Sequence, residues 1–308
     1  MDQTHPFRPR AAGSPRAGLD RTDLALYAAT VFLWGTSWIA IRAQLGVVAP
    51  EVSAFWRFLV AAAAMWIWVA LKGERLAYGA RDHGLFAATG LFLFSTNFTL
   101  FYYGGLTVPS GLLAVVFSLA SVFNLVLGWA LLGQRVEARV AAGGLVGAAG
   151  IGLLFWPEIA GAAGREGALG GLMLCVAGTL CFCVGNLVAT AVQRRGVALL
   201  PAVAWGMTYG LVVLLAVSLA RRQAFVIEPT ALYLGAVLYL ALGASVAAFF
   251  CYLTMLRRLG AARAGYATVL FPIVALAIST AVEGYRWTPL AALGVACALL
   301  GNVLVLRR

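Results

Sequence analysis

The chain has 308 residues, 63% of them hydrophobic and only 11% charged, with a mean hydropathy of +0.93 and a net charge of +11. A soluble domain carries about 25% charged residues, so this composition excludes a soluble globular protein and calls for a membrane. The 22 Lys and Arg residues lie scattered between apolar stretches instead of lining one patch, which argues against nucleic-acid binding and leaves them to set topology.

Residues 1–22 are rich in Pro, Gly, Ala and Arg and predict a disordered cytoplasmic tail. The apolar stretch that follows is long enough to span, so it predicts a retained anchor and not a cleaved signal. A bilayer is crossed by about 20 apolar residues. Ten such stretches run in order at 24–41, 52–71, 84–103, 108–132, 138–156, 169–190, 202–220, 231–255, 262–282 and 289–306. In lipid every backbone amide needs an internal partner, so the expected fold is an all-α membrane protein with ten transmembrane helices.

With the N-terminus in the cytoplasm, sixteen basic residues fall on the inner side: four in the tail, three in 72–81, Arg135, Arg139, Arg194, Arg195, Arg257, Arg258, Arg263, Arg307 and Arg308. Five fall outside: Arg42, Arg165, Arg221, Arg222 and Arg286. That bias in short loops predicts that both termini are cytoplasmic.

A shift of 151 positions lays the second half of the chain on the first. Pro50 falls on Pro201, Gly84 on Gly235, Phe98 on Phe249, Gly133-x-Arg135 on Gly284-x-Arg286, Gly143 on Gly294 and Gly150 on Gly301. The expected units are 23–156 and 169–308. Each has five spans, an odd number, so the second must enter the membrane from the opposite side. Inverted repeats of this kind are the signature of transporters, because they place equivalent surfaces on opposite faces of the membrane.

Chemistry for catalysis is missing from the spans. All 11 carboxylates lie in the tail, in loops or at helix ends, and His5 and His83 fall outside the predicted spans. An intramembrane enzyme needs acid, base or metal ligands at its site, so the chain is not expected to be an enzyme or to hold a metal or cofactor. Cys175, Cys181, Cys183, Cys251 and Cys297 sit in apolar stretches without CxxC spacing and read as buried thiols. A proton-driven carrier places a titratable group in the bilayer; its absence favours facilitation or exchange, with Glu51 and Glu283, near the outer ends of helices 2 and 9, as interfacial charges or as the alternative coupling sites.

Candidate substrate ligands are polar and aromatic. Trp34 and Trp38 share a face of helix 1 with Arg42, and Gly35 and Ser37 lie near mid-span. Arg57 is the basic residue inside a span. It either snorkels to the outer surface or acts as a cavity cation that attracts a substrate carboxylate or pairs with Glu51 or Glu283. Asn97 and Phe101 share a face of helix 3, as do Phe98 and Tyr102. Phe117, Ser118, Ser121 and Asn124 line helix 4, and Asn186 stands in helix 6 at the position equivalent to Gly35. Trp205, Thr208 and Tyr209 in helix 7, Tyr252 in helix 8 and Tyr266 in helix 9 complete the set. Taken singly, each polar group serves as glue between helices; together they suit a small amphipathic or zwitterionic molecule. Gly143, Gly147, Gly150, Gly294, Ala298 and Gly301 form small-residue stripes that predict close packing of helices 5 and 10, within the monomer or in a homodimer.

Several motifs resemble one family. Trp34-Gly35-Thr36-Ser37-Trp38 resembles a W-G-x-x-aromatic signature, and Pro50 with Arg57-Phe58 resembles a P-x(6)-R-F segment. Gly133-Gln134-Arg135 with Gly143 and Gly150, repeated as Phe271-Pro272, Gly284-Tyr285-Arg286, Gly294 and Gly301, resembles the end of a repeat unit. On these residues the chain is similar to EamA-type members of the drug/metabolite transporter superfamily. Gln134 and Tyr285 replace a usual glutamate, and Ser121 stands where the second half has Pro272. The resemblance implies a multi-pass protein of the bacterial inner membrane that exports small metabolites or amino acids by alternating access. The alternatives are a proton-coupled drug/metabolite efflux pump and a non-transporting scaffold or sensor. The expected partners are a small-molecule substrate and the lipid bilayer.

Overall fold

A computed structural model describes residues 20–133, 138–156, 167–259 and 267–306. The regular structure of the described residues is all helical, without strands. In chain order they form α1 (Arg21–Arg42), α2 (Pro50–Lys72), α3 (Ala80–Gly104), α4 (Ser110–Phe117 and Ala120–Leu132) and α5 (Ala138–Leu154). The second half forms α6 (Ala168–Arg194), α7 (Leu199–Ala220), α8 (Ala231–Leu238, Tyr239–Ala247 and Ala248–Leu259), α9 (Ala267–Val282) and α10 (Pro289–Leu306). Seven of these are long and apolar enough to cross a membrane, and α5, α9 and α10 contain shorter apolar helices.

Local chemistry fixes the helix ends. Asp20 caps α1 in a reciprocal box with Asp23, and Pro50 opens α2 at a position where its missing N–H is no loss. Gly133 and Gly284, related by the 151 shift, both turn through left-handed backbone, at φ 63° and 66°. A side chain is strained there, which explains why the repeat keeps glycine at both positions. Helix 4 departs from the expected continuous span: it breaks at Ser118 and Leu119, where the Ser118 hydroxyl donates to the Val115 carbonyl and its N–H is shared between Ala114 and Val115. Such side-chain bonding competes with the helical ladder.

The principal helix contacts are exchanged by the 151 shift. α5 packs along α10, α2 against α7 and α4 against α9, each pair mapping onto itself. α1 packs on α8 and α9 as α6 packs on α3 and α4, and α2 meets α8 as α7 meets α3. Hydrophobic attraction between helices is lost in lipid, so tight approach of small residues carries the packing. A Cβ added at Gly150 would lie 2.6 Å from the Gly294 carbonyl oxygen, and one at Gly301 would lie 2.5 Å from that of Gly143. These two contacts are the same contact in shifted numbering. The stripes of α5 and α10 therefore meet within one chain.

The close approach predicts a sharp contrast within α5. Gly150→Ala should destabilise the purified protein by about 2 kcal/mol, because backbone and not a flexible side chain must yield. Gly152→Ala, with nothing within 4 Å of the new methyl, should be neutral or raise stability by up to about 1 kcal/mol through helix propensity. Thermal unfolding of both variants in detergent checks the pair.

Candidate functional site

Two apolar clusters fill the interior and share Phe98 of α3. One gathers α1, α3, α4 and α9 around Trp38, Phe101 and Phe271; the other gathers α2, α3, α7 and α8 around Phe58, Phe94 and Met207. Arg57 lies at their junction. It is 4% exposed, and its guanidinium carbon stands 4.4 Å from the Phe98 ring centroid and 5.4 Å from that of Phe58. Nε and Nη2 donate to the Ser245 hydroxyl at 3.2 and 3.0 Å, whereas Nη1 has no hydrogen-bond partner among the described residues. The side chain points inward, so neither snorkelling nor a gate pairing with Glu51 or Glu283 describes it.

Backbone irregularity surrounds this cation. α3 carries a π-helical segment at Phe92–Thr96, just before Phe98, and α8 carries one at Tyr239–Ala247 that includes Ser245. Shifted by 151, the first segment falls on 243–247, inside the second. π-Segments concentrate at functional sites because their extra residue re-aims side chains at the cost of helix regularity. Here they aim Phe98 and Ser245 at one guanidinium.

Beside Arg57 stands an aromatic cluster. Trp38 stacks near-parallel on Phe271 at 6.3 Å and meets the edges of Phe101 at 5.2 Å and Phe117 at 5.6 Å. Trp34 lies 5.0 Å from Tyr252 and donates its indole N–H to the Ala244 carbonyl, also in the α8 π-segment. Asn97, one residue before Phe98, is 1% exposed and its Oδ1 has no partner among the described residues. Trp34, Trp38, Phe101 and Tyr252 are thus joined through Phe271, and Arg57 reaches this cluster through Phe98.

Other candidates lie apart. Trp205 and Tyr209 join His83 and Trp66 near the 80-end of α3: Trp205 meets the His83 ring at 4.6 Å and Trp66 at 5.0 Å, and the Tyr209 hydroxyl lies 3.1 Å from His83 Nδ1. His83 is consequently half-buried in the first turn of α3 and not outside the helix. Ser37 returns its hydroxyl to the Trp34 carbonyl, and Asn124 is half-buried in α4 with Oδ1 unpartnered among the described residues. Ser121 bonds Asn302 of α10 as interhelical glue. Asn186 is half-buried in α6. Tyr266 lies outside the described residues.

Charged latches close the ends. Glu51 is fully buried and not an interfacial charge; it accepts from the Tyr103 hydroxyl at 2.7 Å and stands 3.4 Å from Arg221 in an ion pair without hydrogen-bond geometry. Glu283 accepts from the Ser110 and Ser279 hydroxyls and pairs with Arg42 at 3.6 Å. At the opposite helix ends Arg195 holds Asp82, and Arg258 holds Asp20 and Asp23. The Asp23 hydrogen bond raises the Arg258 pKa above the ordinary arginine value. Sequence reasoning missed Ser245 and the Gln44–Tyr102 hydrogen bond beneath Arg57, since nothing in an apolar run marks one serine as an arginine's acceptor.

With this geometry in view, similarity to known proteins is decisive. The chain matches the EamA-like transporter family at residues 22–156 and again at 169–307. It belongs to that family. This EamA-like chain is 29% identical over 285 residues to a probable terminal-alkyne amino-acid exporter of Streptantibioticus cattleyicolor, covering 91% of each. It is 25% identical to a probable amino-acid metabolite efflux pump of Salmonella typhimurium, over 92% of this chain and 94% of the relative. A solved crystal structure shares its fold at a TM-score of 0.63 and 17% identity, over 93% of this chain and 96% of the other. An EamA-like chain with these spans is a multi-pass membrane transporter and not an enzyme.

The Glu51–Arg221 latch predicts non-additive mutations. Arg221→Ala strands a buried carboxylate and should cost about 1–2 kcal/mol, a value discounted because Arg221 is half-exposed. Adding Glu51→Gln removes the stranded charge and should recover part of the loss. Melting curves of the two single variants and the double variant test the coupling.

Proposed function

We propose that this protein is an inner-membrane carrier that exports small metabolites or amino acids by alternating access. It is built from two inverted five-helix units, 23–156 and 169–308, with both termini in the cytoplasm. The observation that carries the reading is the exchange of helix contacts under the 151 shift, with Gly150 on Gly294 repeated as Gly301 on Gly143. Two units related in this way present the same surfaces to opposite sides, and rocking one against the other opens a central chamber to each side in turn. The names of the amino-acid exporter and efflux-pump relatives support the substrate class and the direction.

The clustered residues described above contribute hydrogen bonds, rings and one cation, with no carboxylate among them. Transport by exchange or facilitation fits this interior. A second reading, proton-coupled export, is favoured by one observation: Glu51 is completely buried and its Oε1 accepts no hydrogen bond from the described residues. A proton there would unlock the Tyr103 and Arg221 contacts.

Counterflow in proteoliposomes separates the two. Vesicles preloaded with unlabelled amino acids should take up the labelled counterpart saturably without any ion gradient. Uptake that appears only under an imposed proton gradient would replace the first reading by the second. Silence across the amino-acid and metabolite panel under both conditions would remove the carrier assignment.

A further inference from the structure

We propose that Arg57 anchors a site for one small inorganic monovalent anion, chloride in size and charge, built with Gln44, Tyr102 and Ser245. The starting point is a charge without a counter-ion. Arg42, Arg195, Arg221 and Arg258 each pair with a carboxylate near a helix end. Arg57 lies deeper, is 4% exposed and makes no ion pair with a described residue; its hydrogen bonds run to one neutral oxygen, Ser245 Oγ. Glu51 and Glu283 are engaged elsewhere, the first by Tyr103 and Arg221, the second by Ser110, Ser279 and Arg42. A guanidinium cannot shed its charge as a buried lysine can, so burial without an anion stays strongly unfavourable.

The surroundings of the cation show where that anion fits. Nε and Nη2 are spent on Ser245, which leaves Nη1 without a partner. The Tyr102 hydroxyl interacts with the same guanidinium and donates its own proton to Gln44 Oε1. Gln44 Nε2 is then a second buried donor without a partner among the described residues. Gln44 is 1% and Tyr102 0% exposed. One phenol thus joins two unspent donors, one of them charged, and donors of this kind call for a negative acceptor. A buried water would answer the donors and leave the charge uncompensated. The rings of Phe58 and Phe98 lie at 5.4 and 4.4 Å from the guanidinium carbon, so the space is enclosed and the occupant small. A dianion would bring one charge more than this single cation can match.

The site belongs to one half only. Under the 151 shift Gln44, Arg57, Tyr102 and Ser245 correspond to Arg195, Thr208, Leu253 and Phe94, and Arg195 already holds Asp82. One anion per chain follows. It would tie α2, α3 and the α1–α2 connection of the first half to Ser245 in α8 of the second.

The test is thermal unfolding of the purified full-length protein as sodium gluconate, too large for the enclosed space, is exchanged for sodium chloride at constant ionic strength. Radiolabelled chloride counts the sites. The wild type should gain about 4 °C or more, saturably, with one chloride bound per chain. Bromide should replace chloride, and acetate should not. Arg57→Gln should abolish the response. Gln44→Glu supplies the missing counter-ion within the chain: it should be as stable in gluconate as the wild type in chloride, and should bind no chloride. That variant decides the matter if Arg57→Gln fails to fold. No saturable chloride effect in the wild type would overturn the proposal, as would an unchanged effect in Arg57→Gln or a response to acetate alone. A Gln44→Glu protein that still needs chloride would overturn it too. The inference stands apart from the carrier reading: chloride binding with silent counterflow keeps it and removes the carrier, whereas counterflow by a protein that binds no chloride does the reverse.

Discussion

Helices in a bilayer gain little by burying apolar surface against each other, because lipid is as apolar as leucine. Close backbone approach must then hold the structure together, and the α5–α10 contact supplies it. Gly150 lies on Gly294 and Gly143 on Gly301, near enough that a single methyl would collide with main-chain atoms. This one contact, made twice in exchanged numbering, joins the ends of the two halves. The remaining pairings, α2 with α7, α4 with α9 and the crossed contacts of α1 and α6, follow the same exchange.

Against that near-symmetry, the functional interior is uneven. Arg57 in the first half corresponds to Thr208 in the second, and of the clustered rings Trp38, Phe101, Phe117 and Phe271 only Phe101 has an aromatic counterpart, Tyr252; the others map onto Ala189, Thr268 and Ala120. The paired π-segments of α3 and α8 are the link between the two descriptions. They overlap under the shift only over 243–247 of the longer second segment, and they lie beside Phe98 and at Ser245, which meet one cation. On the proposed carrier reading, matching halves serve the rocking of one unit against the other, and the uneven interior serves recognition.

Much of the fold was legible in the sequence because lipid enforces it. Span positions follow from hydropathy, and the glycine stripes of α5 and α10 announce their own packing. Gly133 and Gly284 mark their left-handed turns for the same reason, since few other residues tolerate that backbone. The break at Ser118 was not legible, because it depends on how one hydroxyl resolves a competition with the helix backbone. The site was half legible. Arg57, Asn97 and the tryptophans stand out as costly groups in an apolar chain, but their partners do not. Nothing local ties Arg57 to Ser245, 188 positions away, or turns Glu51 from a surface charge into a buried one latched by Arg221. The displacement of Trp205 and Tyr209 toward His83 has the same cause: position along a helix is readable from sequence, whereas the neighbour across it is set by packing.

The central claim is that two related halves lie in opposite orientations across the membrane, and labelling tests it without knowledge of a substrate. Leu76, between α2 and α3, and Ile227, between α7 and α8, stand 151 positions apart and are 53% and 48% exposed. Cysteines placed singly at these positions, with the native cysteines replaced, would be probed in intact cells with a membrane-impermeant thiol reagent. The account predicts that position 227 reacts from outside, whereas position 76 reacts only after the membrane is opened. Labelling of both positions from the same side would contradict it.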